Sequence, residues 1–165
     1  LPFFMNDHLR LDGYDDSISL SISFPNYKMF YKYRMNTNAK GWVVLTINPD
    51  VLWEQECAFC KHNAADSRIY NLPKIELTEV KSFEEMFSED ENNFGIRSQE
   101  RLGPFDPTDP QAEVLVFGNI QKDKISYFCF DNSFLLHEFK SQYPNVEALM
   151  ANQYFNTRSY VRQNG

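Results

Sequence analysis

The 165 residues are enough for one domain with a sizeable core, and a 42% hydrophobic share with 15 Phe, 9 Tyr and 2 Trp excludes a disordered segment. The net charge of −7 excludes bulk electrostatic attraction to duplex DNA, though not a local basic groove. No apolar run approaches the roughly 20 residues of a membrane helix, no signal-peptide pattern opens the chain, and three cysteines cannot all pair; these predict no membrane partner and reduced thiols in a cytoplasm.

Residues 1–16 read as irregular, with Pro2, Asn6, Asp12, Gly13, Asp15 and Asp16 as turn formers and with His8 and Arg10 among them. The chain opens at Leu1 on what already reads as structured sequence, so a segment is expected to be missing before it. Residues 17–24 alternate without a fault: Ile18, Leu20, Ile22 and Phe24 face one way and four serines the other. That pattern predicts a half-buried strand whose hydroxyl face meets either a ligand or water. Pro25-Asn26 ends it, and residues 27–35 read as a short helix. Tyr27, Tyr31 and Arg34 share a face there, beside a stripe of Lys28 and Lys32. Interleaved aromatics and cations suit a single-stranded nucleic acid, with rings for bases and charges for phosphates; the same spacing also serves core packing.

Residues 42–47 read as a buried strand, stopped by Asn48-Pro49-Asp50, with Asp50 capping a short helix through Trp53. Cys57 and Cys60 with His62 nearby are too few for a zinc site, and Cys129 and His137 are not spaced to complete one, so no metal is expected. Asn63-Ala64-Ala65-Asp66 reads as a small polar loop at a cleft. A strand is predicted at 74–80, a helix at 82–87 capped by Ser82, and a solvated acidic run at 84–93. Residues 94–111 form a long loop carrying Arg97, Arg101, Gly103 and Pro104, and loops of this length are often functional.

The stretch Pro107-Thr108-Asp109-Pro110-Gln111-Ala112-Glu113-Val114-Leu115-Val116-Phe117 changes character within one residue. A stiff polar approach gives way to a short run of β-formers, and Glu113 sits at the mouth of that buried strand. Side chains two apart in a strand share a face, so Gln111 and Glu113 are expected to project the same way. A carboxylate there is rigidly held yet open to a ligand; a solvated edge glutamate is the competing reading. A further strand at 125–130 follows a turn at 118–124, helices are predicted at 134–140 and 146–155, and the tail carries Arg158, Tyr160 and Arg162. No repeat or linker divides the chain, which reads as one domain, 1–165.

Arg10 ahead of a strand, Phe24-Pro25-Asn26-Tyr27-Lys28-Met29-Phe30, Asn63-Ala64-Ala65 and Gln111-Ala112-Glu113-Val114-Leu115-Val116, in that order over residues 8–130, resemble the DarT family. These are nucleic-acid ADP-ribosyltransferase toxins of bacterial toxin–antitoxin and phage-defence systems. The resemblance implies an α+β ADP-ribosyltransferase fold, two small β-sheets around a central cleft with peripheral helices. It implies NAD⁺ as co-substrate without a metal, and a base of single-stranded DNA as acceptor, guanine or thymine, with a lean to guanine. It also implies an antitoxin partner that removes ADP-ribose.

On this resemblance Glu113 would stabilise the ribosyl cation and take a proton, and Arg10 would fork onto the pyrophosphate. Ser21, Phe24, Met29 and Gln111 would complete the cofactor site with Arg10, while Asn26, Tyr27, Lys28, Tyr31, Arg34, Arg97 and Arg101 would hold the strand. The family's N-terminal histidine and threonine motif has no counterpart before Arg10, and His8 does not fit it, so either that segment is missing or the cofactor is bound differently. An RNA acceptor, a non-catalytic single-strand binding module and a domain that binds neither are the alternatives.

Overall fold

A computed structural model describes residues 13–39 and 41–164. In chain order the elements are β1 (Ser17–Leu20), α1 (Tyr27–Asn36), β2 (Val44–Ile47), α2 (Val51–Glu54), β3 (Cys57–Cys60), α3 (Ser67–Tyr70) and α4 (Lys74–Leu77). There follow α5 (Val80–Glu85), α6 (Glu91–Phe94), β4 (Glu113–Phe117), β5 (Ile125–Phe130), α7 (Ser133–Gln142), β6 (Ala148–Met150) and α8 (Arg158–Asn164). This is the α+β class read from the sequence, with two small sheets and helices around them. One sheet runs β1-β4-β3 and the other β2-β5-β6.

β4 is the centre of the first sheet, antiparallel to both neighbours, with Leu20 opposite Val114 and Cys60 opposite Glu113. It is covered on both faces, which is why its sequence is a continuous apolar run rather than an alternation. Val114 and Val116 enter a core with Val51, Cys57 and Met86, while Leu115 enters a second one with Ala58, Ile69 and Leu77. Successive side chains alternate, so Glu113 points to the same face as Leu115.

Several local expectations give way to tertiary context. The strand at 17–24 stops at Leu20, since its partner β4 begins only at Glu113 and offers no ladder beyond. The chain turns instead: Ser23 adopts φ +63° and the Asn26 N–H donates to Ser21 Oγ at 3.1 Å. Residues 74–80 are not a strand; Pro73 opens α4, which buries Leu77 and leaves Ile75 outside. Ser82 does not cap a helix but lies inside α5, its hydroxyl donating to the Glu76 carbonyl. Asp50 makes no side-chain cap, because its backbone is already helical, at φ −55° and ψ −25°, rather than extended as a capping residue's is. Residues 146–155 are not a helix: β6 extends the second sheet beside β5, in parallel register, before one 3₁₀ turn at Asn152–Phe155. Cys57, Cys60 and Cys129 are free and buried.

The long loop after α6 is tied down by cations. Arg97 donates to the Asp106 and Gly103 carbonyls and to Thr108 Oγ1. From α8, Arg158 donates to the Pro107 and Thr108 carbonyls, and Arg162 grips the fully buried Asp106 carboxylate through Nε and Nη2, each at 2.8 Å. Burial pushes the Asp106 carboxyl up, but the Arg162 hydrogen bonds, the Gly103 N–H and the charges of Arg162 and Arg158 hold it, on balance, below the ordinary aspartate range.

Arg162→Ala should therefore destabilise the fold by about 2 kcal/mol at pH 7, or roughly 4–8 °C in Tm. A carboxyl with a depressed folded-state pKa contributes stability that is fully present above its unfolded value near 4 and is lost as pH falls through the folded value. Thermal melts should accordingly show the gap between wild type and variant closing below about pH 4. A gap that does not change with acid would contradict the assignment.

Candidate active site

Glu113 is the first residue of β4 and only 5% exposed. A buried carboxylate needs donors, and the loop after β3 supplies them. Asn63 Nδ2 donates to Glu113 Oε1 at 2.8 Å, and the Ala64 N–H donates to Oε2 at 3.1 Å. Because Cys60 is the cross-strand partner of Glu113, the chain leaving β3 starts beside that carboxylate and reaches it within three or four residues. The loop is itself braced: Asn63 Oδ1 accepts from the Ala65 N–H, and Asp66 caps α3 while pairing with Arg68. Each Glu113 oxygen is thus aimed in a fixed direction, as electrostatic stabilisation of a developing cation requires.

A second buried pair sits next to it. His62 Nδ1 lies 2.8 Å from Asp109 Oδ2, with side chains 5% and 4% exposed. Asp109 Oδ1 accepts the Gln111 N–H at 2.7 Å, so Gln111 stands in a turn rather than on the strand. The expectation that Gln111 and Glu113 share a strand face is corrected by this turn: Asp109 captures the backbone before β4 begins.

Three adjoining cavities reach this end of the sheet through the residues around Glu113, with Val114, Ala112 and Gln111 in their respective walls and the Glu113 side chain in none. One of about 400 Å³ lies between the sheets, with Ser21, Phe24 and Thr46 in its walls. Another of about 280 Å³ is bounded by Asn26, Tyr27, Lys28, Phe94, Gln111 and Arg158. A narrow one between Phe24, Tyr27, Pro110 and Arg158 adjoins both. Ser21 and Phe24 thus line the inter-sheet cavity, and the Phe24 ring meets Tyr154 and the Arg162 guanidinium. Met29 is 42% exposed on α1 and lines none of the three.

The residues predicted to hold a strand divide into two groups. Asn26 is buried as the cap of α1, and Tyr27 stacks on Tyr31 with ring centres 5.6 Å apart. Lys28 and Tyr31 are exposed. Arg34, however, turns inward between the Phe30 and Phe155 rings and pairs with Asp131 at 3.0 Å. Arg97 is consumed by the loop bonds given above, and Arg101 is exposed with one bond to the Gln163 carbonyl. Arg10 and His8 lie outside the described residues. Sequence reasoning singled out the Asn63-Ala64 loop but not its bond to Glu113, and it passed over Asp106, Asp109, Arg158 and Arg162 as site supports; the polar residues clustered ahead of an apolar strand were the available signal. Among the described residues no group of His, Cys, Asp and Glu could hold a metal ion. No described helix is long and apolar enough to cross a membrane.

Comparison with known proteins adds three findings. A family model described as DarT, ssDNA thymidine ADP-ribosyltransferase, matches residues 20–161. Thymidine is the other of the two bases weighed above, not the guanine favoured there. In fold the chain is similar to Thermosipho africanus DarTG in complex with ADP-ribose, with a TM-score of 0.58 and 14% identity, covering 85% of this chain and 36% of that one. It is also similar to Thermus sp. 2.9 DarT in complex with NAD⁺, with a TM-score of 0.55 and 13% identity, covering 86% of this chain and 73% of that one. No curated protein sequence matches.

The Asn63–Glu113 contact makes a pH-dependent prediction. Asn63→Asp sets a second carboxylate against Glu113, and two like charges in one buried site raise the pair's proton affinity. An acid with a raised folded-state pKa costs stability once pH exceeds its unfolded value near 4. Relative to wild type, Asn63→Asp should lose Tm between pH 5 and pH 8, while the deficit of Asn63→Ala stays constant. Parallel behaviour of the two variants in thermal melts would contradict the geometry.

Proposed function

The chain belongs to the DarT family, and from that premise we propose that it transfers the ADP-ribosyl group of NAD⁺ to thymidine in single-stranded DNA. The observation that carries this reading is the Glu113 carboxylate, fixed by Asn63 and Ala64 at a point of the chain whose neighbours Val114 and Gln111 stand in the walls of two cavities. Cleaving the nicotinamide–ribose bond develops positive charge on the ribose, and a carboxylate held in place stabilises it without reorganising. The same group can take the proton released when the base nitrogen attacks.

In this reading NAD⁺ occupies the inter-sheet cavity, against Ser21 and Phe24, and Arg10 forks onto its pyrophosphate, while Met29 takes no part. The acceptor base enters the cavity walled by Tyr27, Phe94 and Gln111, where two rings flank it and an amide can read its edge. Lys28 and Tyr31 continue that surface outward for the strand, and Arg101 adds charge from the loop. Arg34 and Arg97 hold the scaffold instead. ADP-ribose on DNA is a lesion, so the enzyme acts as a toxin, in a cytoplasm, with an antitoxin partner that removes the group.

The test is incubation with NAD⁺ and single-stranded oligonucleotides with and without thymidine, read by mass. One ADP-ribosyl group should appear only where thymidine is present, duplex DNA should react poorly because flipping a base costs a few kcal/mol, and Glu113→Ala should fall about 100- to 1,000-fold. Transfer to RNA alone, or strand binding without transfer, would overturn the reading.

A second expectation separates the two ligand sites. Tyr31→Ala removes a stacking platform worth about 1–3 kcal/mol per base, and Lys28→Ala removes a phosphate contact and flattens the salt dependence. Both should lower oligonucleotide labelling and leave slow, acceptor-free NAD⁺ hydrolysis unchanged. A parallel fall in hydrolysis would assign α1 to the NAD⁺ side.

A further inference from the structure

One buried side chain joins the loop that holds Glu113 to the turn that precedes it, and it has no role in the chemistry proposed above. His62 directly precedes Asn63 and Ala64, the two donors to Glu113. Its Nδ1 meets Asp109, whose other oxygen holds the Gln111 N–H and whose carbonyl accepts the Ala112 N–H at 3.1 Å. Ala112 is joined to Glu113. The His62 ring also lies 6.1 Å from the Phe94 ring, tilted by 31°, and Phe94 walls the acceptor cavity.

We infer that His62 is a positioning residue for the Glu113 carboxylate: through Asp109 it clips the loop that carries the donors to the turn that carries the acid. The inference rests on the reading of Glu113 as the catalytic carboxylate. A carboxylate partner makes Nδ1 the donor. Among the described residues the Glu113 bonds also join the two clipped segments, and these are the bonds that must stay in register when charge develops on the ribose. Misplacing a catalytic group by about 1 Å costs about 100-fold in rate, and losing an outer support typically costs about 10- to 100-fold.

Asparagine and leucine at this position separate the clip from mere packing. His62→Asn places an amide nitrogen at the same number of bonds from the backbone as Nδ1 and can still donate to Asp109. His62→Leu fills the space and removes the donor. The leucine variant should lose about 10- to 100-fold in kcat with the KM for NAD⁺ unchanged, and the asparagine variant should recover most of it. Independently of activity, hydrogen exchange at the Ala64 amide should quicken in His62→Leu and return toward wild type in His62→Asn.

If wild type transfers nothing, or Glu113→Ala remains active, the transferase reading fails, while Ala64 exchange still decides whether the clip exists. If wild type is active and Glu113→Ala is not, then unchanged kcat in His62→Leu, equal losses in the leucine and asparagine variants, or unaltered Ala64 exchange overturns the inference. Should the leucine variant not fold, His62→Gln serves in its place. It moves the amide one bond farther out, and its kcat should fall while that of the asparagine variant does not.

Discussion

Burying Glu113 obliges the chain to bring hydrogen-bond donors to both of its oxygens, because a buried carboxylate without partners costs several kcal/mol. The antiparallel pairing of β3 with β4 meets that demand. It ends with Cys60 opposite Glu113, so the loop that follows starts beside the carboxylate and folds back over it. β4 is the central strand and is covered on both faces, so the backbone beneath the carboxylate is fixed by two ladders. Only the turn entering β4 remains to be placed, and Asp109, with His62 behind it, does that. The rigidity of the site follows from where a charged residue was put in a sheet.

The cations are apportioned by the same logic. A net charge of −7 gives no general attraction to a polyanion. Four arginines (34, 97, 158 and 162) serve the interior: they pair with Asp131 and Asp106 or fill the carbonyl acceptors of a long loop. Arginine suits this work because its planar fork satisfies several acceptors at once. The flexible point charge of Lys28 and the stacked Tyr27–Tyr31 pair are left at the surface, where a strand can use them. The acidic total is therefore compatible with the acceptor surface proposed for α1.

What was legible in the sequence was whatever a few adjacent residues determine. The Val114–Phe117 run read as a buried strand, the helix after Pro25-Asn26 formed where expected, and the motif order over residues 8–130 pointed to the family. What was not legible depended on distant partners. β1 looked twice as long as it is because the missing ladder belongs to β4, almost a hundred residues on. Residues 148–150 have the composition of a helix but fill the open edge of β5. Arg34 and Arg97 carry no local sign that their partners are Asp131 and the carbonyls of their own loop. His62 was weighed only as a metal ligand, because a hydrogen bond to Asp109 spans 47 positions and leaves no periodic trace.

If Glu113 acts on the charge that develops as the glycosidic bond breaks, then binding of NAD⁺ and its turnover must separate, since only interactions stronger in the transition state raise kcat. The direct measurement is the NAD⁺ dissociation constant of wild type and Glu113→Gln by calorimetry, set beside single-turnover transfer to a thymidine oligonucleotide. A Kd within about twofold of wild type, with transfer down by about 100-fold or more, is the predicted result. A Kd weakened by as large a factor as the rate would contradict it and make Glu113 a ground-state binding residue.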